Sequence, residues 1–406
     1  MKILQCHNFY QLPGGEDQVF AAEGALMESR GHQVVRYTRH NNDVEKLNRI
    51  ALAKKTFSNR ESYRELRSLI REERPDVMHC TNIFPLISPS AYAAAKAEEV
   101  PVVQTLHNYR LLCPKAQMVR DGEICQKCLT TRTFWPAVAH RCYRDSRSAS
   151  AVTAAMLATR WALGTWRNQV DRYIALTDSG RDLFIQGGIP ADKIVVKPNF
   201  VSRDPGIGSG DGEYAIYVGR LSPEKGISTL LETWKRLEGR IPLKIIGDGP
   251  LAADVQHAAE MDPSIEWLGQ RTHDDVLDLI GSARCLVFPS VWLEPFGLSM
   301  IEAFAKGTPV VASRCGAMVD LVDHGRTGLH FIPGDPDSFA ERLRELWTNV
   351  NMFTMRQAAR TEYEERYTEE NNYDQLLEIY EGVISPTDKN STPSPLTRLK
   401  TETAGR

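Results

Sequence analysis

The stretch Cys285-Leu286-Val287-Phe288-Pro289-Ser290-Val291-Trp292-Leu293-Glu294-Pro295-Phe296-Gly297-Leu298-Ser299-Met300-Ile301-Glu302-Ala303 reads as a buried strand, a loop and a helix in immediate succession. Four consecutive apolar residues, Cys285–Phe288, suit a strand covered by helices on both faces. Pro295 holds Glu294 in an extended conformation, so the helix is predicted to begin near Phe296 or Gly297. Glu294 then sits on the loop beyond the strand and Glu302 inside the helix, separated by about 12 Å of helical rise. That is too wide for two carboxyls sharing one proton. It suits two hydrogen-bonding anchors at opposite ends of a long polar ligand. Free amides near Gly297 and Leu298 would lie between them, where a diphosphate could be received. Glu302, set among Leu298, Met300, Ile301, Ala303 and Phe304, needs a partner if buried: a sugar hydroxyl pair, or an Arg or Lys from elsewhere.

The same grammar repeats outward. Met1–Cys6, His32–Tyr37, Val77–Cys80, Val100–Leu106 and Tyr173–Leu176 read as strands in the first half. Tyr214–Val218, Leu243–Ile246, Ile265–Leu268 and Val310–Ala312 join Cys285–Phe288 in the second. Helical-period segments separate them, which predicts α/β architecture with parallel sheets. A chain of 406 residues exceeds one ordinary core. The glycine- and proline-bearing run between the two sets, Pro198 to Gly212, marks a linker. The expected plan is therefore two Rossmann-like, doubly wound parallel-sheet domains facing a cleft, over residues 1–200 and 213–365, joined by 201–212. A helix over 366–384 is expected to cross back to the first domain, and 385–406, rich in Pro, Ser and Thr, to be a disordered tail. Residues 1–205 carry a formal charge of +8 and the remainder −11. That asymmetry suits either a basic domain with an anionic partner or two solvated surfaces.

Ligands of open α/β sheets bind beyond the carboxyl ends of the strands. Tyr214–Val218 is followed by Gly219-Arg220-Leu221-Ser222-Pro223-Glu224-Lys225-Gly226. Its two cations in a glycine-bounded turn either grip an anion or point to water. Leu243–Ile246 is followed by Gly247-Asp248-Gly249-Pro250, a tight turn permitting close backbone approach.

Glu294 and Glu302 match the E-x7-E signature, and the chain resembles glycosyltransferase family 4, retaining enzymes of GT-B fold. The likeness extends through Gly14-Gly15-Glu16, His107, Pro198-Asn199, Gly219-Arg220 with Lys225, Gly307-Thr308-Pro309-Val310-Val311 and Thr327-Gly328-Leu329. The resemblance implies a sugar moved from a nucleotide-sugar donor (a UDP- or GDP-sugar) to a saccharide or lipid-linked acceptor, with no metal or other cofactor in catalysis. It implies His107, Arg220, Lys225 and Glu294 as catalytic residues. Gly14, Gly15, Gly219, Arg220, Lys225, Gly247, Glu294, Phe296, Gly297, Leu298 and Glu302 would bind the donor. Arg220 and Lys225 would hold the diphosphate, Glu302 the ribose, Glu294 the transferred sugar, and the Gly14-Gly15 turn would approach the phosphates. Relatives carry Gly-Gly and Glu after the Pro-Val-Val strand; here Gly316-Ala317 and Asp320 stand instead. Asp335-Pro336-Asp337 mimics a metal-binding D-x-D motif but lies in a Pro-Gly turn beyond the donor strands.

Cys113, Cys125, Cys128 and Cys142 cluster within an irregular insert. Their spacing fits a four-thiolate structural zinc site or four unligated thiols. A nucleic-acid partner is not expected, because aromatic residues are not interleaved with the cations. Ser148–Gln169, with Trp161 and Trp166 at helical spacing behind several arginines, reads either as an interfacial membrane helix or as one packed on its own sheet. The polar start of the chain and its lack of a long apolar run predict a cytoplasmic protein, peripheral at the inner membrane face if the helix meets lipid. Competing readings are a nucleotide-sugar epimerase on the same architecture and a zinc-stabilised binding protein without enzymatic activity.

Overall fold

Each apolar run becomes a strand. The computed structural model describes residues 1–11, 14–348 and 351–385. The strands are β1 Lys2–Phe9, β2 Gln33–His40, β3 Val77–Cys80, β4 Val102–Thr105, β5 Val119–Arg120, β6 Glu123–Ile124, β7 Arg172–Ala175 and β8 Ile194–Val196 in the first domain. The second has β9 Ala215–Val218, β10 Leu243–Ile246, β11 Ile265–Gly269, β12 Cys285–Phe288, β13 Val310–Ser313 and β14 Gly328–Phe331. Two six-stranded parallel sheets result, in the orders β2-β1-β3-β4-β7-β8 and β11-β10-β9-β12-β13-β14. Strands β5 and β6 form a small antiparallel hairpin.

Both faces of each sheet are covered, which is why the strands are apolar on consecutive residues. Ile3 packs with Met27, Leu376 and Tyr380, whereas its neighbour Leu4 packs on the opposite side with Leu66, Ile70 and Tyr92. In the second sheet Ile216 and Leu286 face Met300, Ile301 and Phe304, while Ala215 and Val287 face Trp234 and Phe339. The helix Glu369–Ile384 belongs to the first domain's core through Leu376 and Tyr380, and Tyr380 Oη lies 2.7 Å from His79 Nδ1.

Strand β9 lies between β10 and β12, so the sheet's order reverses there and the loops leaving β9 and β12 open side by side. That topology brings Gly219–Gly226 against Pro289–Gly297. Gly226 takes φ +74°, and a Cβ there would stand 1.9 Å from the Pro289 carbonyl oxygen. Glycine is therefore what lets the two loops touch.

Several details differ from the sequence reading. The helix after Glu294 starts at Leu298, with Gly297 extended as its cap, because Phe296 is spent on packing against Tyr367. Strands β8 and β14 were not read from the sequence; each is an edge strand of three or four residues. The segment expected as one helix over 148–169 is two, Arg147–Ala162 and Thr165–Asn168, broken at left-handed Gly164. Trp166 is buried, and Trp161 Nε1 donates to the Leu111 carbonyl at 2.9 Å, so both tryptophans face protein rather than lipid. The linker lies along the second domain, with Gly208, Gly210 and Gly212 amides bonded to the carbonyls of Lys306, Gly281 and Ser282. Asp335 caps the helix Pro336–Trp347 and Asp337 pairs with Arg236, so the D-x-D look-alike is a helix start. The expected tail, beyond Ser385, lies outside the described residues.

Candidate active site

A cleft of about 510 Å³ runs between the two domains. Glu294, Phe296, Gly297, Leu298 and Glu302 line it from β12's loop and the following helix, joined by Gly219 and Lys225 from β9's loop. Gly15, Glu16, His107 and Asn199 line it from the first domain.

Lys225 Nζ stands 2.6 Å from Glu294 Oε1, and Ser290 Oγ donates to the same oxygen at 2.7 Å. The Glu294 side chain is only 5% exposed while Lys225 keeps 25%. An ammonium so placed neutralises the carboxylate at rest and still reaches an incoming anion. Phe288 and Trp292 stand 5.7 Å from the same ammonium, limiting its hydration. Glu294's loop is braced by the segment after β13: the Ala317 amide donates to the Glu294 carbonyl at 3.0 Å. Asp320, expected in place of the relatives' glutamate, instead accepts from the Ser179 amide of the first domain at 2.9 Å and so bridges the two domains.

Glu302 also lines the cleft, with burial raising its carboxyl's pKa and His273, 3.9 Å away, opposing that shift. Its apolar helix supplies no Arg or Lys partner among the described residues. Gly297 and Leu298, where that helix begins and its first amides lack intrahelical acceptors, also line the cleft.

His107 follows β4, and its Nε2 is buried without a hydrogen-bond partner among the described residues. Burial pushes its pKa down to about 3, with Lys197 adding to the effect and Glu23 opposing it, so the ring is neutral near pH 7. Three expected donor contacts stand apart from the cleft lining. Arg220 is exposed, its carbonyl held inward by Tyr217 Oη at 2.9 Å and the next residue, Leu221, fully buried. Gly247 packs on Gly219, where a Cβ would meet the carbonyl oxygen at 1.9 Å. Gly14 caps the first helix, its amide donating to Asp17 Oδ2 at 3.0 Å.

The structure adds cleft residues that sequence reading missed. Arg271 and His273 follow β11, and the rule of looking past each strand's end would have found them. Behind the Gly14-Gly15 turn a buried chain runs from Thr81 Oγ1 to His7 Nδ1 at 2.6 Å, and from His7 Nε2 to Asp17 Oδ1 at 2.7 Å. Those partners lie 74 and 10 residues from His7, a separation that no local pattern reveals.

With the geometry established, the chain matches the family described as Glycosyltransferase Family 4 over residues 13–204 and Glycosyl transferases group 1 over 212–349. The chain belongs to glycosyltransferase family 4. An uncharacterized glycosyltransferase of Methanocaldococcus jannaschii is 29% identical over 163 residues, 40% of this chain and 46% of that protein. Glycogen synthase of Mycobacterium tuberculosis is 28% identical over 284 residues, 68% of this chain and 61% of that protein. The matched region thus spans about half the length of these curated relatives. Among solved structures, Anabaena HepE in complex with UDP-glucose superposes with a TM-score of 0.66 at 18% identity, covering 93% of this chain and 99% of that one. At that identity the likeness shows the fold, which is GT-B.

Of the two readings of the cysteine cluster, a structural zinc site finds no support among the described residues. Cys113, Cys125, Cys128 and Cys142 line one small cavity with His140, yet among the described residues no three ligating side chains are arranged to hold a metal ion. All four are free thiols, and burial pushes Cys128 up to about 12, with Cys113 nearby adding to it. The insert is held by other means: the β5–β6 hairpin, the Cys142-to-Ala137 and Cys125-to-Met118 backbone bonds, and the buried side chains of Met118, Leu129 and Ala137.

Proposed function

We propose that this chain transfers a sugar from a UDP- or GDP-sugar to a saccharide or lipid-linked saccharide acceptor, with retention of anomeric configuration and no metal in the chemical step. The observation that carries this reading is that Glu294 and Glu302 line one interdomain cleft together with Lys225, which pairs with Glu294, and the helix start at Gly297 and Leu298. Glu302 would accept hydrogen bonds from the ribose hydroxyls, and Glu294 from hydroxyls of the transferred sugar. Lys225 and the amides near Leu298 would meet the diphosphate. In the reaction the bond from the anomeric carbon to the diphosphate breaks, the acceptor oxygen bonds on the same face, and its proton passes to the departing phosphate oxygen. The protein's part is positioning and charge stabilisation. His107, neutral and with a vacant buried nitrogen, suits hydrogen bonding to the sugar rather than proton transfer. The UDP-glucose held by HepE supports a nucleotide-sugar donor here.

Lipid-linked acceptors and peripheral membrane contact, as in surface polysaccharide assembly, find support in exposed large apolar residues of the first domain. Trp135, Leu163 and Ile50 are 68%, 67% and 70% exposed. Exposed Arg49, Lys54 and Arg132 lie beside them in sequence, a composition suited to anionic lipid. Among the described residues no helix is long and apolar enough to cross a membrane. The decisive experiment incubates the protein with a panel of UDP- and GDP-sugars and saccharide acceptors, following nucleotide release and the product's anomeric configuration. Glu294→Gln should abolish transfer while leaving nucleotide binding nearly intact; an inverted product, or equal loss of binding and transfer, would contradict the assignment.

A further inference from the structure

Glu16 occupies the first turn of the helix Gly15–Ser29, on the first domain's wall of the cleft. Its Oε2 accepts from Tyr10 Oη at 2.8 Å and from Asn108 Nδ2 at 3.5 Å. Its Oε1 is buried and has no hydrogen-bond partner among the described residues. The turn that carries it is rigidly mounted, since the neighbouring Asp17 is fixed by buried His7 and by the Gly14 amide. Burial also raises this carboxyl's pKa, with His7 opposing. A buried carboxyl oxygen without a partner is costly, and a ligand that satisfies it recovers that cost.

The chemistry of that ligand follows from the site. A carboxylate repels phosphate, so Glu16 is not placed to bind the diphosphate, whose cationic contact is Lys225 on the other domain. An uncharged hydroxyl is what a carboxyl can take, and the donor's ribose and sugar already have Glu302 and Glu294. Resting on the sugar-transfer reading, we propose that Glu16 is an acceptor-binding residue: its vacant Oε1 holds a hydroxyl of the acceptor saccharide against the first domain's wall of the cleft. Tyr10 and Asn108 act through Glu16 as positioning residues.

The test compares wild type, Glu16→Gln and Tyr10→Phe. UDP and GDP binding is titrated calorimetrically. Donor consumption is measured in water alone, and then with methyl glycosides of glucose, galactose, mannose and N-acetylglucosamine or a bacterial lipid extract. Glu16→Gln should raise acceptor KM about tenfold, the loss of one charge-assisted hydrogen bond, with nucleotide affinity and acceptor-free hydrolysis within about twofold of wild type. Tyr10→Phe, which removes one of the two donors to Oε2, should fall between the two. An unchanged acceptor KM in Glu16→Gln would overturn the proposal, as would nucleotide binding and hydrolysis falling in step with transfer, since that marks a structural role. A wild type that neither binds nor consumes any nucleotide sugar would instead overturn the sugar-transfer reading itself, and this proposal with it.

Discussion

Replacing Lys225 by Met removes the ammonium that Glu294 and the incoming diphosphate share. In the ligand-free site Nζ lies 2.6 Å from Glu294 Oε1, a short charge-assisted contact on a carboxylate that is 5% exposed. A hydrogen bond to a charged group contributes about 1.5–3 kcal/mol, so nucleoside diphosphate affinity should fall by about tenfold to 150-fold. A nucleoside monophosphate, lacking the phosphate that Lys225 meets, should weaken by less than about threefold. The same change strands Glu294 with only Ser290 as partner. Breaking a fully buried pair costs about 3–5 kcal/mol, but Lys225 is a quarter exposed and water can reach its place, so about 1–2 kcal/mol is expected. Adding Glu294→Gln removes the unpaired charge, so the double variant should be more stable than the sum of the single effects predicts. Calorimetric titration of UDP, UMP, GDP and GMP, with urea unfolding of the four proteins, measures both quantities. Equal losses for di- and monophosphates, or strictly additive stabilities, would refute the shared-ammonium argument.

Glu302→Gln should weaken UDP and UMP alike, by about tenfold, because the ribose is common to both; titration would show the contrast with Lys225 directly. Gly226→Ala places a methyl 1.9 Å from the Pro289 carbonyl at φ +74° and should cost more than about 1 kcal/mol in urea unfolding. His79 is buried between Tyr380 and Thr105, and burial lowers its pKa to about 4. The unfolded chain therefore takes up a proton near pH 6.5 that the fold refuses until about pH 4. Stability should decline as pH falls through that window, by up to about 3 kcal/mol from this residue, and His79→Gln should flatten the decline. A stability that rises on acidification over the same range would reverse the sign and defeat the reasoning.

What the sequence disclosed depended on how local the signal was. Strands buried on both faces announce themselves as apolar runs, so β1, β3, β9 and β12 were legible. Edge strands β8 and β14 pair on one side only; β8 has three residues, and in β14 Gly328 and His330 interrupt the apolar run. Glu294 and Glu302 were readable because the proline, the strand before them and the helix after them are contiguous. The Lys225–Glu294 contact depends on which strands are neighbours in the sheet, and sixty-nine residues separate the partners. That Arg220 is exposed while the next residue, Leu221, is fully buried had no signal in the spacing of the loop. Cysteine spacing brought the four thiols to one cavity but does not report whether their geometry suits a metal, and hydrophobic side chains already hold the insert. The exposed Trp135 and buried Trp166 show the same limit, since periodicity gives a face but not what the face meets.

The structure of this protein with a bound UDP- or GDP-sugar tests the account most directly. The account predicts ribose hydroxyls within hydrogen-bond reach of Glu302, the diphosphate on Lys225 and the amides near Leu298, and the sugar against Glu294. A nucleotide seated outside the interdomain cleft, or lying there with neither carboxylate touching it, would contradict the account.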